Sequence, residues 1–234
     1  KDVDFYFMDP LNPKLDSMFA QLSDGEAWDP LDWSQDGTKI LAQRQVSANE
    51  AYIWLFDVKS GGKTLLTPQE KGEEVSFQDA KFSVDGKGFY TVTDRESEFL
   101  RLTYIDFASG KHEYLTKDIA WDVDQFDITR DGKTIVFTTN EDGLSVLHLM
   151  DLATRKELPV PKLPAGSISG LQFHHDGTLL GFSMTSARAA LDVYSLDIAQ
   201  QKTERWTYSE TGGLNVEKFP EPELVRWKSF DGKT

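Results

Sequence analysis

Asp-Gly pairs recur along this 234-residue chain with a period that few architectures can accommodate. Asp36-Gly37, Asp85-Gly86, Asp131-Gly132 and Asp176-Gly177 stand 49, 46 and 45 residues apart. A second aspartate follows each pair: Asp57, Asp106, Asp151 and Asp197, at offsets of 21, 21, 20 and 21 residues. Two landmarks locked together through four repeats define a structural unit. A period on this scale means a propeller, an array or a solenoid.

Aligned on Asp-Gly, each repeat reads as four short strands. An apolar-polar-apolar triplet comes first: Leu31-Asp32-Trp33, Ala80-Lys81-Phe82, Phe126-Asp127-Ile128 and Leu171-Gln172-Phe173. Asp-Gly between β-rich runs is a strong hairpin signal, because glycine tolerates positive φ and aspartate bonds its own backbone. A β-branched or aromatic run follows, as in Phe89-Tyr90-Thr91-Val92 and Ile135-Val136-Phe137-Thr138. After a variable loop, a third strand ends on the second aspartate, as in Tyr52–Asp57 and Val193–Asp197. A small polar turn leads to a short fourth strand ending in Thr or Pro, as in Leu65-Leu66-Thr67 and Leu158-Pro159. No stretch sustains an i, i+3, i+4, i+7 apolar pattern, so helical repeats are disfavoured. The expected fold is an all-β propeller of four-stranded antiparallel blades, four full and one partial.

The blades are expected near residues 1–22, 28–67, 77–116, 123–161 and 168–207, within a propeller domain spanning 1–221. Phe5–Asp9 matches a third strand and Met18–Leu22 a fourth, so the chain opens in mid-blade. Near the other end, Glu223–Ser229 and Phe230–Thr234 read as a strand and a turn. Four blades and a remnant form an incomplete ring whose open blade edges invite self-association. The alternative is that the C-terminal strand completes the N-terminal half-blade and closes a five-bladed ring.

Composition bounds the partners. A formal net charge of −14 disfavours nucleic acid and simple docking to anionic lipid. No apolar run reaches membrane-span length. Cysteine is absent, which removes disulfides, thiolate zinc sites and thiol nucleophiles, and leaves the compartment open between an oxidising periplasm and a reducing cytoplasm. No cofactor is expected.

A catalytic constellation is not legible. Gly166-Ser167-Ile168-Ser169-Gly170 lacks the central serine and strand-turn-helix context of a nucleophile elbow, and reads as an inter-blade loop. His112, His148, His174 and His175 show no metal-ligand spacing, so no metal site is expected; His174-His175 reads as a turn-flanking pair. The landmark aspartates read as turn formers, since an Asx-type bond suits the end of a strand. The candidates for binding lie on the loops between second and third strands, which share a face with the inter-blade loops. There Arg44, Arg95 and Arg188, with Glu98, are candidates to contact a peptide or a partner domain.

Ser34-Gln35-Asp36-Gly37 and Ser83-Val84-Asp85-Gly86, relaxed at Thr129 and His174, resemble the repeats of TolB and of prolyl oligopeptidase-family propellers. Thr93-Asp94-Arg95-Glu96-Ser97-Glu98-Phe99-Leu100-Arg101-Leu102 is similar to a blade of bacterial dipeptidyl or acylaminoacyl peptidases of that family. Residues 222–234 resemble the entry into their C-terminal α/β-hydrolase domain. The resemblance implies a non-catalytic propeller that gates short peptide substrates for a serine peptidase. It places the catalytic Ser, Asp and His beyond Thr234, with none in this chain. The paired-glutamate motif that holds a substrate amine has only Glu73-Glu74 as a candidate. A stand-alone TolB-like propeller that docks proteins is the alternative. A propeller enzyme with a central carboxylate or metal site has less support, because no His-carboxylate cluster recurs.

Overall fold

The computed structural model describes residues 3–22, 25, 27–70 and 72–232. Lys1 and Asp2 of the expected first blade and Lys233 and Thr234 of the expected C-terminal segment lie outside the described residues. The described chain is all-β, with one short 3-10 turn at Val216–Lys218. β1 (Val3–Asp9) and β2 (Asn12–Leu22) form a two-stranded sheet. Four four-stranded sheets follow. The first is β3 (Ala27–Trp33), β4 (Lys39–Ser47), β5 (Glu50–Asp57) and β6 (Lys63–Leu65). The second is β7 (Phe77–Phe82), β8 (Gly88–Thr93), β9 (Arg101–Asp106) and β10 (His112–Tyr114). The third is β11 (Asp122–Ile128), β12 (Thr134–Glu141), β13 (Leu144–Asp151) and β14 (Lys156–Leu158). The fourth is β15 (Gly166–Phe173), β16 (Leu179–Ser186), β17 (Ala189–Asp197) and β18 (Lys202–Arg205). Sequence neighbours are spatial neighbours in every sheet, the up-and-down order of propeller blades. The chain divides into two compact units, Lys1–Val123 and Asp124–Thr234.

The landmark aspartates build the turns. Asp36 Oδ1 accepts from the Thr38 N–H at 3.0 Å and from the Ser34 hydroxyl at 2.7 Å, while the Gly37 N–H donates to the Ser34 carbonyl at 2.8 Å. Gly37 has φ 67°, the left-handed conformation glycine adopts without steric cost. The pattern repeats at Ser83/Asp85/Lys87 and Thr129/Asp131/Lys133. In the fourth repeat the His174 ring replaces the hydroxyl, with Nδ1 2.9 Å from Asp176. The second landmarks work the same way. Asp57, Asp106 and Asp151 accept from the N–H and hydroxyl of Ser60, Ser109 and Thr154, and Asp197 accepts from the Gln200 N–H. At the fourth strands' ends, Thr67, Thr116 and Thr207 accept through their hydroxyls from Ile53, Leu102 and Val193 N–H groups.

The middle strands carry the core, because they pair along both edges and pack against a neighbouring sheet of the same unit. All six residues of β8 are buried, and five consecutive residues of β12, Ile135–Thr139, are buried too. In the first unit, Phe5, Leu22, Trp28, Ile40 and Phe56 join the β1–β2 hairpin to the first blade. Leu41, Ile53, Val75, Phe77 and Phe89 join the first blade to the second. In the second unit, Val136, Leu149, Ile168, Leu180, Phe182 and Leu196 form one cluster.

A carboxylate also ties consecutive blades within each unit. Asp32 Oδ2 accepts from the Phe82 N–H at 2.9 Å, and Asp127 Oδ2 accepts from the Phe173 N–H at 2.7 Å. These are the polar residues of the sequence triplet, and they satisfy innermost-strand amides that have no ladder partner on that side.

Two local expectations are corrected. Gly166–Gly170 is the first part of strand β15, not a loop, and it contains a β-bulge between Ser169 and Gln172, with Gly170 at φ 67°. Bulges interrupt β3 and β7 similarly, between Pro30 and Asp32 and between Gln78 and Ala80. At the second, the buried Thr91 hydroxyl lies 3.1 and 2.8 Å from the Gln78 and Asp79 carbonyls that the bulge frees. The inner strands are therefore longer than the triplets, since a bulge breaks the alternation that marks a strand in sequence. The second correction is at Glu223–Ser229, where no strand forms. No neighbouring strand pairs with it among the described residues, and only the turn survives, with the Gly232 N–H donating to Ser229 at 3.0 Å.

Two outcomes are expected. Replacing Asp127 with Ala leaves the buried Phe173 amide without an acceptor and lowers unfolding free energy by about 1–3 kcal/mol, whereas Asn retains an acceptor and costs less; urea denaturation of the three proteins checks this. Hydroxyl and backbone donors hold Asp36 and Asp131 down to about 2. Their folded values lie below the unfolded range near 4, so their contribution is complete above that range and is lost as pH falls toward 2. Thr129→Ala removes the main donor to Asp131 and lowers the thermal midpoint at pH 6. The gap from the parent chain narrows as pH approaches 2, leaving the part due to the lost acceptor for the Thr134 N–H, which thermal melts across that range measure.

Candidate functional site

In the first unit, the β8–β9 connection and the loop from β6 to β7 converge on Arg95. The connection is knitted locally. Asp94 Oδ1 accepts from Ser76 N–H at 2.8 Å, the Ser97 N–H donates to the Asp94 carbonyl at 2.9 Å, and the Leu100 N–H donates to Asp122 at 2.8 Å. Arg95 is only 8% exposed. Its Nε and Nη2 donate to the two Glu73 carboxylate oxygens at 3.0 and 2.7 Å, and Nη2 also donates to the Pro68 carbonyl at 2.8 Å. The guanidinium lies 4.9 Å above the Phe77 ring. This is the planar fork that arginine presents and lysine cannot.

Titratable groups surround the pair. Burial pushes the Glu73 carboxyl up, but the Arg95 pairing and the Glu70 N–H outweigh it and leave Glu73 below its ordinary value. The Tyr52 hydroxyl donates to Glu50 at 2.7 Å, and burial with that carboxylate raises it. Burial and then Glu96 push Tyr114 up to about 12. His112, 6.0 Å from the Phe77 ring, is lowered by burial and by the Arg95 charge. The cluster can accept and donate hydrogen bonds on a rigid rim. An ionised glutamate committed to arginine is a poor proton donor, so the cluster is suited to binding rather than acid-base work.

The structure separates the sequence candidates. Arg44, expected on a loop, lies instead within β4, paired with Trp28 and Tyr52 on either side, because the strand runs on to Ser47; its Cζ is 6.0 Å from the buried Trp28 ring. Arg95 is sequestered as described, and Glu98 lies exposed on the same connection. Arg188, in the second unit, occupies the β16–β17 turn. Its Nε lies 3.3 Å from the Phe219 carbonyl and 3.2 Å from Glu221, and its Nη1 lies 3.9 Å from Glu217. Glu73 is the partner of Arg95, while Glu74 is exposed. Sequence reasoning missed that pairing, since the two lie 22 residues apart with no spacing rule to connect them.

It also missed a juxtaposition in the second unit. Thr139 Oγ1 lies 2.9 Å from His148 Nε2, and His148 Nδ1 lies 3.2 Å from Glu157. The order is that of a nucleophile, base and orienting acid. Thr139 is fully buried, however, its hydroxyl also bonds Glu141 at 3.0 Å, and the imidazole stacks on Phe137 at 4.7 Å. A reacting carbonyl cannot reach that oxygen, so the arrangement packs a blade. Among the described residues, no group of three or more His, Asp or Glu side chains is arranged to hold a metal ion. No helix among them is long and apolar enough to cross a membrane.

Arg95→Ala is expected to destabilise the chain by about 1–3 kcal/mol, less than a fully buried pair because the Glu73 side chain is 26% exposed. Lys recovers only part of the loss, because it has no bidentate fork. A double-mutant cycle with Glu73→Gln, read by urea denaturation, isolates the coupling.

Comparisons with known proteins agree with this geometry. Searching curated proteins with the sequence found no match. Among solved structures, a prolyl endopeptidase from a study of two such enzymes aligns with TM-score 0.76 at 18% identity, over 98% of this chain and 36% of its own. A puromycin hydrolase aligns with TM-score 0.76 at 16% identity, over 94% and 34%. TolB from Acinetobacter baumannii aligns with TM-score 0.70 at 16% identity, over 89% and 49%. The chain thus spans about a third of the two hydrolytic enzymes' length. At these identities the likeness establishes the propeller fold. The sequence itself matches the family described as the dipeptidyl peptidase IV (DPP IV) N-terminal region over residues 2–179, and the chain belongs to that family.

Proposed function

We propose that this chain is the non-catalytic, substrate-gating propeller of a serine peptidase that hydrolyses short peptides. The observation that carries this reading is the family match over residues 2–179. Likeness to a prolyl endopeptidase and a puromycin hydrolase supports it. In this reading residues 1–221 are the propeller and 222–234 lead into a C-terminal α/β-hydrolase domain that carries the nucleophile. Arg44, Glu98 and Arg188 face the peptide or the partner domain, and Arg95 holds the rim on which they sit. TolB, matched over 49% of its length, favours a second reading, a stand-alone propeller that docks proteins.

The test uses the chain alone and the parent protein side by side. Acyl transfer needs an accessible nucleophile, a base and an oxyanion hole. The chain alone is expected to leave chromogenic dipeptide and acyl-peptide substrates intact, and a fluorophosphonate probe to leave Thr139 unlabelled. The parent protein is expected to cleave short peptides and spare folded proteins, and to cleave folded proteins once residues 1–221 are deleted. A parent gene with no Gly-x-Ser-x-Gly elbow after residue 234 would overturn the peptidase reading in favour of the docking module.

A further inference from the structure

The chain after β18 is held in a graded way. At its start the grip is firm. Asp192 is fully buried and accepts from Arg205 Nη2 at 2.5 Å, the Thr207 hydroxyl at 3.1 Å and the Ser209 N–H at 2.8 Å. Gly212 and Gly213 follow, at φ 62° and 76°, with nothing within 4 Å of where a Cβ would stand. Beyond this glycine joint the segment has no sheet partner among the described residues and no buried residue. What holds it is polar and mostly ionic: Arg188 on the β16–β17 turn against Glu217, Glu221 and the Phe219 carbonyl, and Asp142 on the β12–β13 turn against Arg226 at 2.5 Å. Leu224, Val225, Trp227 and Phe230, 57 to 103% exposed, contribute no buried apolar grip.

We propose that Arg188 is a carboxylate-binding site which the chain's own Glu221 and Glu217 fill, making residues 214–226 a strap hinged at Gly212-Gly213. The strap crosses the turns that join second to third strands in the third and fourth blades. An acidic peptide competes for Arg188 and releases it. Each anchor is solvent-exposed, Arg188 at 40% and its glutamates at 80% and 52%, so each holds weakly and yields to salt or to a competing carboxylate. The buried Asp192 clamp keeps the base of the strap in place when the rest lifts. Only the choice of a peptide as competitor rests on the peptidase reading, and the strap is measured without any peptidase activity.

The sequence contains no cysteine, so Lys156→Cys and Glu223→Cys give a spin-label pair without background. In the 234-residue chain, Arg188→Ala and the double variant Glu217→Gln/Glu221→Gln are each expected to broaden the label distance distribution. Each also speeds trypsin cleavage after Lys218 about two- to five-fold, since cleavage of an opened segment follows its open population. The glutamine variant leaves the β16–β17 turn untouched, so it reports on the strap even if Arg188→Ala disturbs that turn. An Ac-Ala-Glu-Ala-Glu-amide peptide at millimolar concentration produces the same release in the parent chain, while its glutamine analogue does not. Unchanged distances and cleavage in both variants overturn the strap. Equal release by the two peptides, or release by neither, overturns the carboxylate site.

Discussion

A blade packed against its neighbour buries its middle strands, and its backbone must be satisfied at the ends as fully as in the ladder. Aspartate does this here. At the Asp-Gly turns and at the ends of the third strands, a carboxylate accepts from an N–H two or three residues ahead and, in most cases, from a nearby hydroxyl. Asp32 and Asp127 extend the same chemistry from one blade to the next. The apolar clusters between sheets supply the driving force. They can form only because the turns release each strand at the right place without leaving a buried polar group unpaired.

The loops obey a different economy. The landmark turns recur almost unchanged, whereas the connections between second and third strands vary in sequence, in backbone conformation and, in the second blade, in length. Asp142-Gly143 makes a two-residue turn with both residues at positive φ, and Ala187-Arg188 makes one without. The second blade instead carries the long segment from Asp94 to Leu100. That length lets Arg95 fold back under Glu73 and bind two loops together. A rigid framework with variable connections suits recognition, because loop chemistry can vary without disturbing the core.

The arginines illustrate how one residue type is put to different uses. Arg95 is buried and forked onto a glutamate, and is part of the scaffold. Arg44 lies beside the Trp28 ring within a middle strand. Arg188 and Arg226 stand in solvent and hold a segment that could otherwise leave. Burial separates them: a desolvated pair lost on one side leaves an uncompensated charge, while an exposed pair exchanges partners readily.

The repeat by itself determined the architecture. Asp-Gly, β-branched runs and a second aspartate at constant offset are local signals, and each acts within a few residues of where it is written. The four blades, their turns and the turn-flanking place of His174 were legible for that reason. Tertiary structure decided what depends on residues far apart in the chain. The Arg95–Glu73 pair and the Asp127–Phe173 link join positions with no fixed spacing in sequence. It also decided where pattern misleads. Gly166–Gly170 resembled a loop because a bulge disrupts strand alternation. Glu223–Ser229 alternates like a strand, yet forms none, because a strand exists only where another edge can take its hydrogen bonds.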